Sequence, residues 1–159
     1  MSNIYVASSW RNQYQQEAVA RLRKLGHDVY DFRNPREGQN GFHWSEIDPK
    51  WLQWTPSEFR CALQHSLSQD GFRSDMTALC DSAITVLVLP CGRSAHLELG
   101  IAVGRNQTTY ILALDNTEPE LMYLACTGLL TSWEELETVM GRHKEGDPMV
   151  CQNSAAKKG

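Results

Sequence analysis

The sequence predicts a single-domain, three-layer α/β fold built on a mostly parallel five-stranded sheet. Three observations predict it. Strand-like runs alternate with helix-like segments from residue 3 to about residue 143. The central run Ala83-Ile84-Thr85-Val86-Leu87-Val88-Leu89 is apolar at nearly every position, as a strand covered on both faces must be. A chain of 159 residues has the size of one domain and can bury a sizeable core without staples.

Asn3 to Ser8 is apolar and β-rich and reads as the first strand. Residues 13–25 carry Ala18, Val19, Leu22 and Leu25 at helical spacing, and Gly26 stands where a left-handed residue ends a helix. A second strand is expected over 27–32, then a loop over 33–41 marked by Pro35, Gly38 and Gly41. Residues 42–59 hold Trp44, Trp51 and Trp54 together with Phe42 and Phe59. The aromatic bias fits packing or subunit contact, with a substrate lid as the functional alternative. Thr55-Pro56-Ser57-Glu58 is a capping box with Pro at the first helical position, opening a helix to about His65. Asp70-Gly71 is expected to break it, with a new helix over 74–80 feeding the strand at 83–89. A helix over 95–104, a strand over 108–114, a short helix over 118–125 and a short last strand over 128–131 follow. Ser132-Trp133-Glu134-Glu135 is a second capping box, opening a helix to about His143. The domain spans 1–145, and the polar tail over 146–159 is expected to be disordered.

The formal charge of −4 argues against a nucleic acid polymer as partner, although a few local Arg and Ser residues suffice for a small anion. The cysteines Cys61, Cys80, Cys91, Cys126 and Cys151 form no CxxC pair and no Cys/His cluster. Neither a zinc site nor a disulfide framework is suggested, and reduced thiols are expected. There is no leader-like segment and no apolar run long enough to span a membrane, so a cytoplasmic protein is expected. No GxGxxG follows the first strand and no GxxxxGK[ST] occurs, so the fold is flavodoxin- or Rossmann-like without the dinucleotide fingerprint. No cofactor and no metal are expected.

The chemistry concentrates in Cys91-Gly92-Arg93-Ser94-Ala95-His96-Leu97-Glu98-Leu99-Gly100, a turn and helix start after the buried strand. Ligands of open α/β sheets bind outside the carboxyl ends of the strands, where this segment lies. Glu98 falls in about the first turn, among apolar neighbours that leave little polar face. Ser94 is placed as a cap, Arg93 adds positive charge, and the helix N-terminus favours an ionised Glu98. An ionised carboxylate can attack an anomeric carbon. His96 reads as a structural helix residue. Asp75, one helix earlier, can project toward the same crevice, and two carboxyl groups flanking one sugar suit glycosyl transfer. Asp81, just before the strand, reads as an element-end residue. After the first strand, Ser8-Ser9-Trp10-Arg11-Asn12 offers hydroxyls, an arginine and free N–H groups for a phosphate or sugar, or simple capping by Ser9 or Asn12.

With these residues in place, the chain resembles the nucleoside 2-deoxyribosyltransferase superfamily, which includes nucleoside 5′-monophosphate N-glycosidases. Ile4-Tyr5-Val6-Ala7-Ser8-Ser9-Trp10 is similar to the family's first strand and loop, which assigns Tyr5 to the catalytic acid and Trp10 to the base pocket. Asp75 matches the helix aspartate that meets base or sugar, and Asp81 matches a residue common before the third strand. Glu98-Leu99-Gly100-Ile101-Ala102 is similar to the E-L-G-x-A signature, whose Glu is the nucleophile. Glu120-Leu121-Met122 resembles a segment that a neighbouring subunit inserts into the site, which implies a homo-oligomer of two or more subunits and adds Met122 to the substrate contacts.

The chain departs from the transferases at Gly92, where they carry a base-reading aspartate, at Arg93 and Ser94, which replace small residues, and at Glu120, which replaces an amide. The resemblance implies cleavage or base exchange at the N-glycosidic bond of a (deoxy)nucleoside or nucleoside 5′-monophosphate. Glu98, Asp75 and Tyr5 are then catalytic. Ser8, Ser9, Trp10, Arg11, Asp81, Gly92, Arg93, Ser94 and Met122 contact substrate. Ser9, Arg11, Arg93 and Ser94 tilt the reading toward a phosphorylated substrate. Two alternatives stay open: a glycohydrolase of NAD or a related dinucleotide, and a nucleotide-binding sensor without turnover.

Overall fold

The computed structural model describes residues 1–36 and 38–145, so the tail expected to be disordered lies outside the described residues. The regular elements are β1 (Asn3–Ala7), α1 (Gln15–Lys24), β2 (Asp28–Asp31), α2 (Pro56–Ala62), α3 (Ser66–Asp81), β3 (Ile84–Val88), α4 (Arg93–Gly104), β4 (Thr108–Leu112), β5 (Gly128–Leu130) and α5 (Trp133–Glu145). The five strands form one sheet in the order β2-β1-β3-β4-β5, and all four pairings are parallel.

The side-chain period of two sorts each strand between two cores. Ile4 and Val6 of β1, Val86 and Val88 of β3 and Leu112 of β4 pack under Ala18, Val19 and Leu22 of α1 and Leu136 and Met140 of α5. Tyr5, Ala7, Leu87 and Ile111 face the other way, against Leu79 of α3 and Ala95, Leu99 and Ala102 of α4. Each fully buried Leu or Ile stabilises the fold by roughly 1.5–3 kcal/mol through apolar area removed from water. On the first face Arg21 links the two helices, bonding Glu17 of its own turn at 2.6 Å and Glu137 at 2.7 Å beneath the Trp133 ring. These pairs are partly solvated, so water screens most of their attraction.

The connection from β1 turns toward β2 on one side, while β3 leads to β4 on the other. The carboxyl ends of β1 and β3 therefore open a crevice at the point where strand order reverses. Asn12 builds its floor. Its Nδ2 donates to the Val88 and Pro90 carbonyls at 3.2 and 2.9 Å, while its Oδ1 accepts from the N–H groups of Tyr14 and Gln15 at 2.7 and 2.8 Å. One buried amide thus opens α1 and ties it to the end of β3. Ser8 Oγ adds a second tie, donating to the Val88 carbonyl at 2.8 Å.

Several sequence expectations are corrected. Asp70-Gly71 does not break a helix: α3 runs unbroken from Ser66 to Asp81. A Cβ built on Gly71 would lie 2.9 Å from Phe42 Cβ, so glycine is there to let the aromatic segment lie against the helix. That close approach overrides the roughly 1 kcal/mol by which Gly disfavours a helix. The break falls earlier, at residues 63–65, where His65 Nδ1 caps α3 by accepting from the Leu67 N–H at 3.2 Å. The capping box at Thr55 and Glu58 forms as expected.

Residues 118–125 hold a 3₁₀ turn, Leu121–Ala125, opened by the Glu120 carboxylate accepting from the Met122 N–H at 3.0 Å. α4 starts at Arg93 with Gly92 as its cap residue, so Ser94 lies inside the first turn and caps nothing, and Glu98 falls in the second turn. In the second capping box Ser132 accepts from the Glu135 N–H at 3.1 Å, but the Glu135 carboxylate reaches one residue further back, to the Thr131 N–H at 2.6 Å.

The Trp-rich span packs on itself. Trp44 meets Phe42, Trp54 and Phe59 edge to face at 4.8, 5.8 and 5.7 Å, and Trp54 Nε1 donates to Asp48 at 2.7 Å. No helix among the described residues is long and apolar enough to cross a membrane.

Candidate active site

The second core face carries the acidic cluster. Tyr5 and Tyr30 are register partners on neighbouring parallel strands, so both rings project toward α3 and α4. They stack at 5.3 Å with planes 14° apart. Asp75 lies one turn before Leu79, the residue through which α3 seats on the sheet, and that spacing aims it at the same face. The Tyr30 hydroxyl donates to Asp75 Oδ1 at 2.8 Å, and Ser74 Oγ stands 3.1 Å from the same hydroxyl. Across from them is Glu98, half-buried on the flank of α4 whose other members, Ala95 and Ala102, are packed into the core.

Electrostatics bind the cluster together. Burial pushes the Glu98 carboxyl up to about 7, and the charge of Asp75 pushes the same way, while the Tyr5 hydroxyl pulls it down. Glu98 lies in the second turn of α4, past the first turn over which a helix N-terminus favours a charged acid. Burial likewise raises Asp75, opposed by the hydrogen bond from Tyr30. Burial and then the charge of Glu98 raise the Tyr5 hydroxyl, which faces that carboxylate. The Cys91 thiol is pushed up to about 12 by burial and then by Glu98, which keeps it protonated and unreactive.

Asp75 and Tyr30 form one wall of a cleft of about 830 Å³, whose other walls include Phe32, Arg36, Gly41 and Phe42. Glu98 stands behind this wall rather than in it. Trp10 flanks the cleft: it is 40% exposed, its ring lies 4.1 Å from that of His43, and a Cβ on Gly41 would stand 3.0 Å from it. Arg33, not singled out by sequence, holds this loop from below. Its Nη2 donates to the carbonyls of Ser9, Trp10 and Asn12 at 2.9, 3.0 and 2.8 Å.

Other expected contacts fall differently. Ser8 and Asn12 are buried and spend their side chains on the scaffold, so Ser8 is removed from the substrate contacts. Asp81 ends α3 at the amino end of β3, the opposite edge of the sheet from the crevice. It lines a separate cleft of about 700 Å³ with Asn3, Asp28 and Ser82. It is a helix-end residue and not a member of the acidic cluster. Gly92, Arg93 and Ser94 are exposed at the start of α4, and a Cβ on Gly92 would meet nothing within 4 Å. His96 is structural, as expected: its Nδ1 bonds the Gly92 carbonyl at 3.0 Å and its Nε2 the Tyr123 hydroxyl at 2.8 Å. Met122 is 70% exposed on the 3₁₀ turn. Among the described residues, no group of three or more His, Cys, Asp and Glu side chains is placed to hold a metal.

Solved structures match this architecture. A 2-deoxyribosyltransferase from Bacillus psychrosaccharolyticus superposes with a TM-score of 0.61 at 19% identity, covering 84% of this chain and 89% of that one. The chain has a nucleoside 2-deoxyribosyltransferase-like fold. A conserved protein from Enterococcus faecalis V583 superposes with a TM-score of 0.56 at 16% identity, covering 90% of this chain and 99% of that one. No protein-family model and no curated protein sequence matches the chain.

Proposed function

We propose that this protein cleaves, or exchanges the base at, the N-glycosidic bond of a (deoxy)nucleoside or nucleoside 5′-monophosphate. The observation that carries the reading is the coupled pair Asp75–Glu98, with a tyrosine beside each acid, at the strand-order reversal and next to a cleft. Likeness to a 2-deoxyribosyltransferase supports it.

Burial and then the charge of Asp75 raise Glu98 to about 7, so the two acids still hold a proton near neutrality. Glycosyl transfer needs that state: one acid charged, the other able to donate. In the proposed reaction the proton passes from Glu98 to Asp75, and the Glu98 carboxylate attacks C1′ as the C1′–N bond breaks. The bonding pair leaves with the base, which takes the proton of Asp75. Water, or the nitrogen of a second base, then attacks C1′ and releases Glu98, returning a proton to Asp75. Tyr5 steadies the Glu98 carboxylate. Trp10 offers its exposed face to the base, and Ser9, Arg11, Arg93 and Ser94 receive the sugar or phosphate end at the mouth. Leu97 of α4 and Leu121, Met122 and Leu124 of the 3₁₀ turn form an exposed apolar surface suited to a second copy of the chain.

The test is incubation with nucleosides, their 5′-monophosphates and NAD, reading free base by chromatography. Base release from one of the first two classes is expected. Glu98→Ala should lower it by at least about 10³-fold at unchanged thermal stability. Near-full activity in that variant removes Glu98 from the reaction. Release of nicotinamide alone identifies the dinucleotide glycohydrolase, and nucleotide-induced stabilisation without product identifies a sensor.

A further inference from the structure

We infer that Tyr30, braced by Ser74, is the positioning residue that fixes Asp75 within the acid pair: it occupies one carboxylate oxygen and leaves the other for the departing base. The inference rests on the proposed glycosidase or transferase chemistry for its role, but on geometry for its existence. A phenol has one proton to give. With that proton on Asp75 Oδ1 at 2.8 Å, the contact of 3.1 Å to Ser74 is made by the Ser74 hydroxyl donating back to Tyr30. Ser74, Tyr30 and Asp75 thus form a directed chain of hydrogen bonds along the wall of the cleft. The ring itself cannot swing. It is clamped against Tyr5 by stacking and held by the β1–β2 register. Each acid therefore has its own tyrosine, Tyr5 for Glu98 and Tyr30 for Asp75, and the two tyrosines touch.

The arrangement decides where the shared proton rests. The ionisable groups around Asp75 are Tyr30 from β2, Tyr5 from β1, Glu98 from α4 and, acting on Tyr30 from the loop after β2, Arg36. Cys91, at the foot of α4, couples to Glu98. Of these, only Tyr30 hydrogen-bonds Asp75 directly. A donated hydrogen bond stabilises the charged carboxylate. An ionised Asp75 in turn holds the proton on Glu98. Removing the Tyr30 hydroxyl should move the proton toward Asp75 and let Glu98 ionise earlier.

The experiment is a ¹³C-carboxyl NMR titration of the full chain, wild type against Tyr30→Phe, which needs no turnover. The Asp75 midpoint should rise and the Glu98 midpoint should fall below about 7. Unchanged midpoints for both acids overturn the inference. If Tyr30→Phe does not fold, Ser74→Ala replaces it: the same two movements, smaller, are expected, and their absence counts equally against it. Where the wild type releases base, Tyr30→Phe should also shift the pH profile in the same sense, because the proton given to the base then rests more on Asp75 and Glu98 ionises earlier. A wild type that releases no base, but whose midpoints move as stated, retires the proposed activity and leaves the pairing of Tyr30 with Asp75 standing.

Discussion

At the scale of single residues, the informative group is Glu98, an acid that the fold holds near 7 rather than at its ordinary 4.5. An acid raised on folding binds more protons in the native state than in the unfolded chain. Its contribution is then neutral below about 4.5, where both states are protonated, and unfavourable above about 7, where both are ionised. The penalty grows between those limits. Glu98→Gln should therefore stabilise the protein by about 2 kcal/mol at pH 8 and hardly at all at pH 4. Urea denaturation at the two pH values checks this, and an equal effect at both would mean that Glu98 is not raised.

At the scale of elements, the join between the aromatic segment and α3 is the least replaceable. Gly71→Ala in a free-standing helix would gain up to about 1 kcal/mol. Here the new methyl meets Phe42 at its Cβ, close to the backbone, where the contact cannot be relieved by rotating a flexible tip. Phe42 carries Trp44 and through it Trp54 and Phe59. The expected result is a net loss of about 1–2 kcal/mol together with a shift in tryptophan emission as that cluster moves. A stabilised Gly71→Ala with unchanged emission would show that the helix does not need the gap.

At the scale of the whole molecule, the exposed apolar residues Leu97, Leu121, Met122 and Leu124 predict self-association. Sedimentation at micromolar concentration should give a dimer or larger species, and Leu121→Glu with Leu124→Glu should give a monomer. A monomeric wild type would refute the assignment of this face. Much of the molecule was legible beforehand. β1 and β3 are legible as apolar runs, while β2 and β5 are short and show mainly through the alternation of elements, and Glu98 stands out by its apolar neighbours in sequence. What escaped is non-local. Tyr30 gains its place through its register with Tyr5 and its hydrogen bond to Asp75 of α3, and Arg33 through a loop from a different strand. Asp70-Gly71 looked like a helix end because the Phe42 that needs the gap lies far away in sequence. Asp81 is the element-end residue that its position before β3 suggests, whereas Ser94 is placed as a cap and α4 begins a residue earlier, with Gly92 at the cap position.

The three carbonyls gathered by Arg33 have a mechanical corollary. The rim carrying Trp10 and the rim carrying Phe32, Pro35 and Arg36 share one guanidinium as their common rivet. Neither rim can be pushed aside without dragging the other, so whatever enters between them is met from both sides in a single movement.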